Sequence, residues 1–285
     1  MIWIENNHIS IFFSLKSDGD MLFTRTDADL KRTDADKKNK KVRQNRISFF
    51  KKHNIDPKRL VNLAGIHGAN IATFTRESIL GSGSLDPDTR IPNTDGLITN
   101  IKNSYLMITG ADCFPVMFWD DSKNVIGAAH CGWKGIIGAD HRGLNADLRR
   151  PDADSRRQKS GIAIEMIKRF KRDFSSNPAD INVWIGPGIK SCHYYIPQER
   201  AELFSKNYKN HIIERGNQLF LDLAGIIKSQ LLENGIKPEK ITEHPDCTFC
   251  EKDKWFSYRR DKLINPERVE GPEIIEANAF IIHLK

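Results

Sequence analysis

No apolar run in this 285-residue sequence approaches the roughly 18 residues of a bilayer span, which excludes a helical membrane segment. The opening MIWIENNHISIFF has no basic stretch and no small-residue cleavage site, so it reads as a strand and not as a signal peptide. Cysteine is scarce and odd in number: Cys113, Cys131, Cys192, Cys247 and Cys250. Without an export signal that count argues against a disulfide framework and for free thiols in a reducing, cytoplasmic compartment. A broad basic face is missing too. The formal net charge of +7 is contained in residues 25–46, with nine Lys/Arg and four Asp, and residues 139–159, with six Lys/Arg and four Asp. The rest is neutral, so neither a nucleic-acid footprint nor a membrane partner is expected.

Those two charged stretches share a repeat. Asp27–Asp36 reads DADLKRTDAD and Asn145–Asp154 reads NADLRRPDAD, and seven of ten positions are identical. Neither copy shows an apolar face at period 2 or 3.6. They are expected to be surface insertions, at about 25–41 and 140–158, in a single domain spanning 1–285.

The remainder mixes short strands with amphipathic helices. A helical pattern covers Val42–Asn54, with Ile47 and Phe50 on one side. Val116–Trp119 and Val125–Ala129 read as strands joined by the turn Asp120–Asn124. Ala163, Met166, Ile167, Phe170 and Phe174 recur at helical spacing. Asn182–Ile185 is a short strand, and Leu223, Ile226, Ile227 and Leu231 line a helix stopped by Asn234-Gly235. Phe280–His283 reads as a final strand. Strands and helices do not alternate strictly, which predicts an α+β (mixed α/β) fold, a layered sandwich of mixed β-sheets flanked by helices.

The densest chemical signal is Ala111–Gly135. Cys113 precedes one apolar strand and His130 ends the next, so a hairpin would set both at one sheet edge. Taken alone, a Cys and a His at that spacing are equally consistent with a buried thiol acting as a small hydrophobe. His67, in LAGIHG, follows a predicted strand; spacing does not show that it joins the other two. Cys247-Thr-Phe-Cys250 is a CxxC that could be half a zinc site or a redox pair, with no second CxxC to complete it.

Taken together, His67-Gly68, Asp95-Gly-Leu-Ile-Thr99, Ala111-Asp-Cys-Phe-Pro115, His130-Cys-Gly-Trp-Lys-Gly135, Ile185-Gly-Pro-Gly-Ile189, Cys247-Thr248 and Phe256-Ser-Tyr-Arg-Arg-Asp261 resemble the bacterial laccase-domain family. That family was first described as multicopper polyphenol oxidases and is now regarded as purine nucleoside phosphorylases with adenosine deaminase activity. The chain departs from the family's pattern at Gly65, Cys131, Lys134 and Tyr195. The resemblance implies a metal centre of His67, Cys113 and His130, holding Zn2+ or Cu2+. It implies catalysis at those three residues. The expected reactions are phosphorolysis of adenosine, inosine and methylthioadenosine, and deamination of adenosine.

Two imidazoles and one thiolate leave a fourth position for water, as catalytic zinc sites do. Zinc would lower the pKa of that water from about 15.7 toward 7. Attack of hydroxide at C6 of adenine is deamination. Phosphorolysis needs a phosphate contact, for which Arg259 and Arg260 are the candidates, since a guanidinium fork matches phosphate oxygens. Purine nucleosides and phosphate are thus the expected partners of a monomer or homodimer. Two other readings stand beside this one: a Cys–His hydrolase or amidase with Cys113 as nucleophile and His130 as base, and a non-catalytic metal-binding protein.

Overall fold

The computed structural model describes residues 1–23, 32–74, 90–138, 160–264 and 275–285, without the side chains of 32–34 and 263–264. Among them the strands are, in chain order, β1 (Ile2–Glu5), β2 (Ile9–Phe13), β3 (Leu60–Ala64), β4 (Ile71–Phe74), β5 (Arg90–Pro92), β6 (Gly96–Thr99), β7 (Ser104–Gly110), β8 (Phe114–Asp120), β9 (Val125–Cys131), β10 (Asn182–Ile185), β11 (Tyr195–Ile196), β12 (Ile212–Arg215), β13 (Gln218–Leu221), β14 (Ile241–Glu243) and β15 (Asn278–Leu284). The helices are α1 (Arg32–Lys52), α2 (Trp133–Ile136), α3 (Ile162–Phe174), α4 (Gln198–Tyr208), α5 (Leu223–Glu233) and α6 (Tyr258–Ile264).

The strands make two six-stranded mixed sheets, ordered β1-β2-β15-β7-β3-β5 and β14-β10-β8-β9-β6-β4, and a small sheet β11-β13-β12. The mixed α+β sandwich expected from the sequence is what forms. Side-chain alternation explains the layering. On β8, Met117 and Trp119 face the first sheet's Phe13, Leu106 and Phe280, whereas Val116 and Phe118 face Met166 and Phe170 of α3 and Ile227 of α5. The first sheet's other face, with Phe12, Met107 and Ile281, is covered by Phe49 and Phe50 of α1. The result is four layers: helix, sheet, sheet, helices. Both faces of the central strands are buried, which is why β8 is apolar along nearly its whole length.

The β8–β9 hairpin forms as expected, in the register Pro115 opposite His130 and Phe114 opposite Cys131. Its turn is closed by Asp120 Oδ1, which accepts from Ser122 N at 2.9 Å and Ser122 Oγ at 2.7 Å. The helices through Phe170 and through Ile227, and the strands at 182–185 and 280–283, also lie within the expected segments.

Helix α1 corrects two expectations. Residues 32–41 of the first expected surface insertion belong to a helix, and Ala35 within it is fully buried. Ala35, Val42, Arg46, Phe49 and Phe50 are the buried face, whereas Ile47 is 59% exposed. Arg46 belongs to that face because its guanidinium donates to the Met21 carbonyl at 2.6 and 2.9 Å and lies 4.2 Å from the Phe23 ring. Lys38 pairs with Asp20 at 3.2 Å, which further anchors the charged stretch. Residues 25–31 and the whole of 140–158 lie outside the described residues.

Candidate metal centre

His130 lies at the end of β9 and Cys113 just before β8, so the hairpin register alone brings them to one edge. His67 arrives from the loop after β3 with φ +58°, a left-handed conformation that is costly for a non-glycine residue. Asp95, just before β6 and fully buried, holds that loop. Its carboxylate accepts from Ile66 N at 2.9 Å and Gly68 N at 3.0 Å, and its backbone carbonyl accepts from His130 N at 2.8 Å. Burial holds the Asp95 carboxyl above the usual carboxylate range, with the backbone N–H groups of Gly68, Ile66 and His67 opposing that shift. One residue therefore ties the His67 loop to the His130 strand.

The donor atoms of His67, Cys113 and His130 lie within 4.8 Å of one another. The rings of His67 and His130 are 5.2 Å apart at 79°. His67 is exposed and the other two are partly buried, so the cluster opens toward solvent on the His67 side. Nδ1 of His130 sits 3.0 Å from the Thr109 carbonyl. A carbonyl only accepts, so Nδ1 carries the hydrogen and Nε2 keeps its lone pair. That Nε2 is buried with no hydrogen-bond partner among the described residues. A donor on one ring nitrogen and an orphaned lone pair on the other is how metal-ligating imidazoles are held.

Two glycines keep the space open. A Cβ on Gly132 would stand 3.1 Å from Cys113 Sγ, 3.2 Å from His67 Cδ2 and 4.0 Å from His130 Nε2, in the middle of the three donors. A Cβ on Gly135 would meet the Gly68 carbonyl at 2.6 Å, so only glycine lets α2 pack against the His67 loop. The donor set, the orphaned nitrogen and the vacant Gly132 position all fit a metal ion.

Burial pushes the Cys113 thiol up to about 12, with the Asp112 and Asp95 carboxylates adding to the effect, and burial lowers His130. Both shifts favour neutral thiol and neutral imidazole. A Cys–His dyad would have no use for His67 beside these two residues.

Asp112 adjoins Cys113 and is buried, with φ +82°. It accepts from Thr248 Oγ at 2.6 Å and from Arg259 N at 2.7 Å, tying the 247–260 segment to Cys113. The two arginines of that segment differ. Arg260 is buried and spends its guanidinium on the carbonyls of Thr248 at 2.7 Å, Phe249 at 3.0 Å and Trp255 at 2.7 Å. The expected phosphate contact from Arg260 does not fit that arrangement, because its nitrogens hold the loop together. Arg259 is partly exposed, donates to the Tyr195 carbonyl at 3.1 Å, and lies 4.3 Å from the Tyr195 ring and 5.4 Å from the Tyr194 ring. Asp95, Asp112 and Gly132 were not singled out by sequence reasoning, although each lies inside a motif block that was.

The sequence matches the family model described as multi-copper polyphenol oxidoreductase laccase over residues 11–265. The chain belongs to this family. Its relatives include purine nucleoside phosphorylase YlmD of Bacillus subtilis (strain 168), 30% identical over 187 residues, 64% of this chain and 59% of that protein. Purine nucleoside phosphorylase LACC1 of Homo sapiens is 28% identical over 219 residues, 72% of this chain and 44% of that protein. The match thus spans about half the length of these relatives. Among solved structures, the Bacillus licheniformis protein YfiH superposes with a TM-score of 0.74 at 25% identity, covering 97% of this chain and 93% of that one. No helix among the described residues is long and apolar enough to cross a membrane.

Proposed function

We propose that this chain is a metal-dependent purine nucleoside enzyme, a single cytoplasmic catalytic domain with His67, Cys113 and His130 as the ligands of a zinc or copper ion. Its reactions would be phosphorolysis of adenosine, inosine and methylthioadenosine to base and (methylthio)ribose 1-phosphate, and hydrolytic deamination of adenosine to inosine. The observation that carries this reading is the convergence of the three donors around an orphaned His130 Nε2, in a family whose relatives bear the name purine nucleoside phosphorylase.

When bound, such an ion supplies Lewis acidity and an acidified water near neutral pH. The protein's own groups set the frame. Thr109 fixes the His130 tautomer, Asp95 fixes the position of His67, and Asp112 holds the segment carrying Arg259 against Cys113. Arg259, braced on Tyr195, is the candidate anion contact for phosphate. In phosphorolysis a phosphate oxygen bonds to C1′ as the C1′–N9 bond breaks and the base leaves with a proton. In deamination water adds at C6 and ammonia departs.

The test is turnover of adenosine by metal-analysed protein, with and without phosphate, followed by chromatography of bases and nucleosides. Adenine should appear only with phosphate, and inosine without it. Full metal occupancy with neither product would leave a non-catalytic metal-binding protein.

A further inference from the structure

A second constellation lies outside the site just described. The loop after β10 carries Cys192 and His193, and the loop after β14 carries Cys247 and Cys250. β10 and β14 are parallel neighbours, so both loops leave the same end of the sheet, and a Gly188–Cys247 bridge continues the pairing beyond the strands. The donor atoms of all four residues lie within 4.8 Å of one another. Nδ1 of His193 is 3.3 Å from Cys192 Sγ and 3.3 Å from Cys250 Sγ, and those two sulfurs are 3.6 Å apart. A tetrahedral centre with Zn–S bonds of about 2.3 Å separates its sulfurs by about 3.8 Å. A disulfide requires about 2.05 Å. The spacing matches the first geometry.

We propose that Cys192, His193, Cys247 and Cys250 form a second metal site, a closed Cys3His centre that takes zinc in a structural role. Four protein donors leave no open position, which distinguishes structural from catalytic zinc. The surroundings are built for ligation. The backbone N–H of Lys190 donates to Cys247 Sγ at 3.4 Å, the outer-shell contact that a thiolate accepts. The His193 ring stacks on Phe249 at 4.1 Å and 15°, which fixes the plane in which Nδ1 points inward. The CxxC supplies two donors from one turn, and the partner loop supplies the pair that no second CxxC provides.

The centre would also brace the first site. Thr248, inside the CxxC, donates to Asp112 beside Cys113. Tyr194, directly after His193, underlies Arg259.

The experiment counts metal in the full-length protein, purified reduced and reconstituted with Zn2+ or Co2+. Native mass spectrometry should give two ions per chain for the wild type, and one for both the Cys192→Ser/Cys250→Ser double variant and the His130→Ala variant. With Co2+, His130→Ala should keep strong thiolate-to-cobalt charge-transfer absorption from three sulfurs, and combining it with Cys250→Ser should weaken that absorption. Cys192 and Cys250 are exposed, so their replacement leaves the core intact; Cys250→Ser alone serves if the double variant does not fold. An unchanged metal count on losing these thiols overturns the proposal. So does a Cys192–Cys250 disulfide in protein alkylated directly on lysis. Neither result bears on the His67, Cys113 and His130 centre, whose ion is lost only with His130→Ala.

Discussion

The two Cys/His clusters use the same residue types for opposite ends. The His67, Cys113 and His130 cluster has three donors at the edges of both large sheets, with Asp95, Asp112 and Thr109 behind them. The Cys192, His193, Cys247 and Cys250 cluster has four donors on two loops, two of them exposed, supported by backbone and one stacked ring. Three donors, steadied by two buried carboxylates and the Thr109 carbonyl, would leave an ion a coordination position facing solvent. Four donors close the shell and join loops. Donor count and outer-shell burial, more than residue type, separate a centre for chemistry from one for cohesion.

The strongest way to break that comparison is to remove one donor from the open cluster. His130→Ala should lose its metal equivalent and lower nucleoside turnover by more than the roughly 10–100-fold cost of losing an outer-shell partner, read by metal analysis and product chromatography. The neighbouring arginines sharpen it next. Arg260→Gln leaves buried carbonyls unpaired and should cost about 1–3 kcal/mol in urea unfolding. Arg259→Gln should leave that midpoint in place and raise KM for phosphate; equal effects of the two would erase the distinction drawn between them.

The third prediction concerns pH. Cys113, held at about 12, is a thiol near neutrality, so an ion must displace its proton. Apparent affinity at the open cluster should rise about tenfold per pH unit around pH 7, measured by competition with a chelator in the Cys192→Ser/Cys250→Ser background. The smallest effect lies outside both clusters. Burial, and then Lys285, lower His283 to about 4, and it stacks on Tyr105 at 4.0 Å. Below its ordinary pKa of 6.5 the unfolded chain takes up a proton that the folded chain refuses until about pH 4. Stability should therefore fall as pH drops from 6.5 to 4, and His283→Gln should flatten part of that slope in urea titrations.

The β8–β9 hairpin was legible in the sequence because apolar runs flank a turn of Asp, Ser, Lys and Asn, and it carried Cys113 and His130 with it. The layered α+β architecture was legible from the mixture of periods. His67 was a candidate from its own segment but joined Cys113 and His130 only through the family resemblance, since its contact with the hairpin runs through Asp95, whose role no local pattern states. The α1 face was hidden because an alanine, a valine and an arginine make up three of its five residues, and Ile47, the more obvious apolar residue, points to solvent. Arg260 looked like an anion ligand because motif position says nothing about carbonyls folded over it. The Cys247–Cys250 pair lacked a partner in sequence because Cys192 reaches it only through the parallel pairing of β10 and β14.

The hairpin that carries two of the three donors also separates a local contact from distant ones. Cys113 and His130 meet as soon as β8 and β9 zip, a local event with a small loop to close. The remaining parts come from farther along the chain: Asp112 receives Thr248 from 136 residues away, a contact with a larger loop-closure cost than the hairpin's. A chain with only the hairpin formed would hold Cys113 and His130 without His67, and so no complete cage. An ion that binds only the finished cage stabilises it by RT ln(1 + [L]/Kd) and gives nothing to the intermediates. Metal retention by His67, Cys113 and His130 would then be a reporter of completed folding.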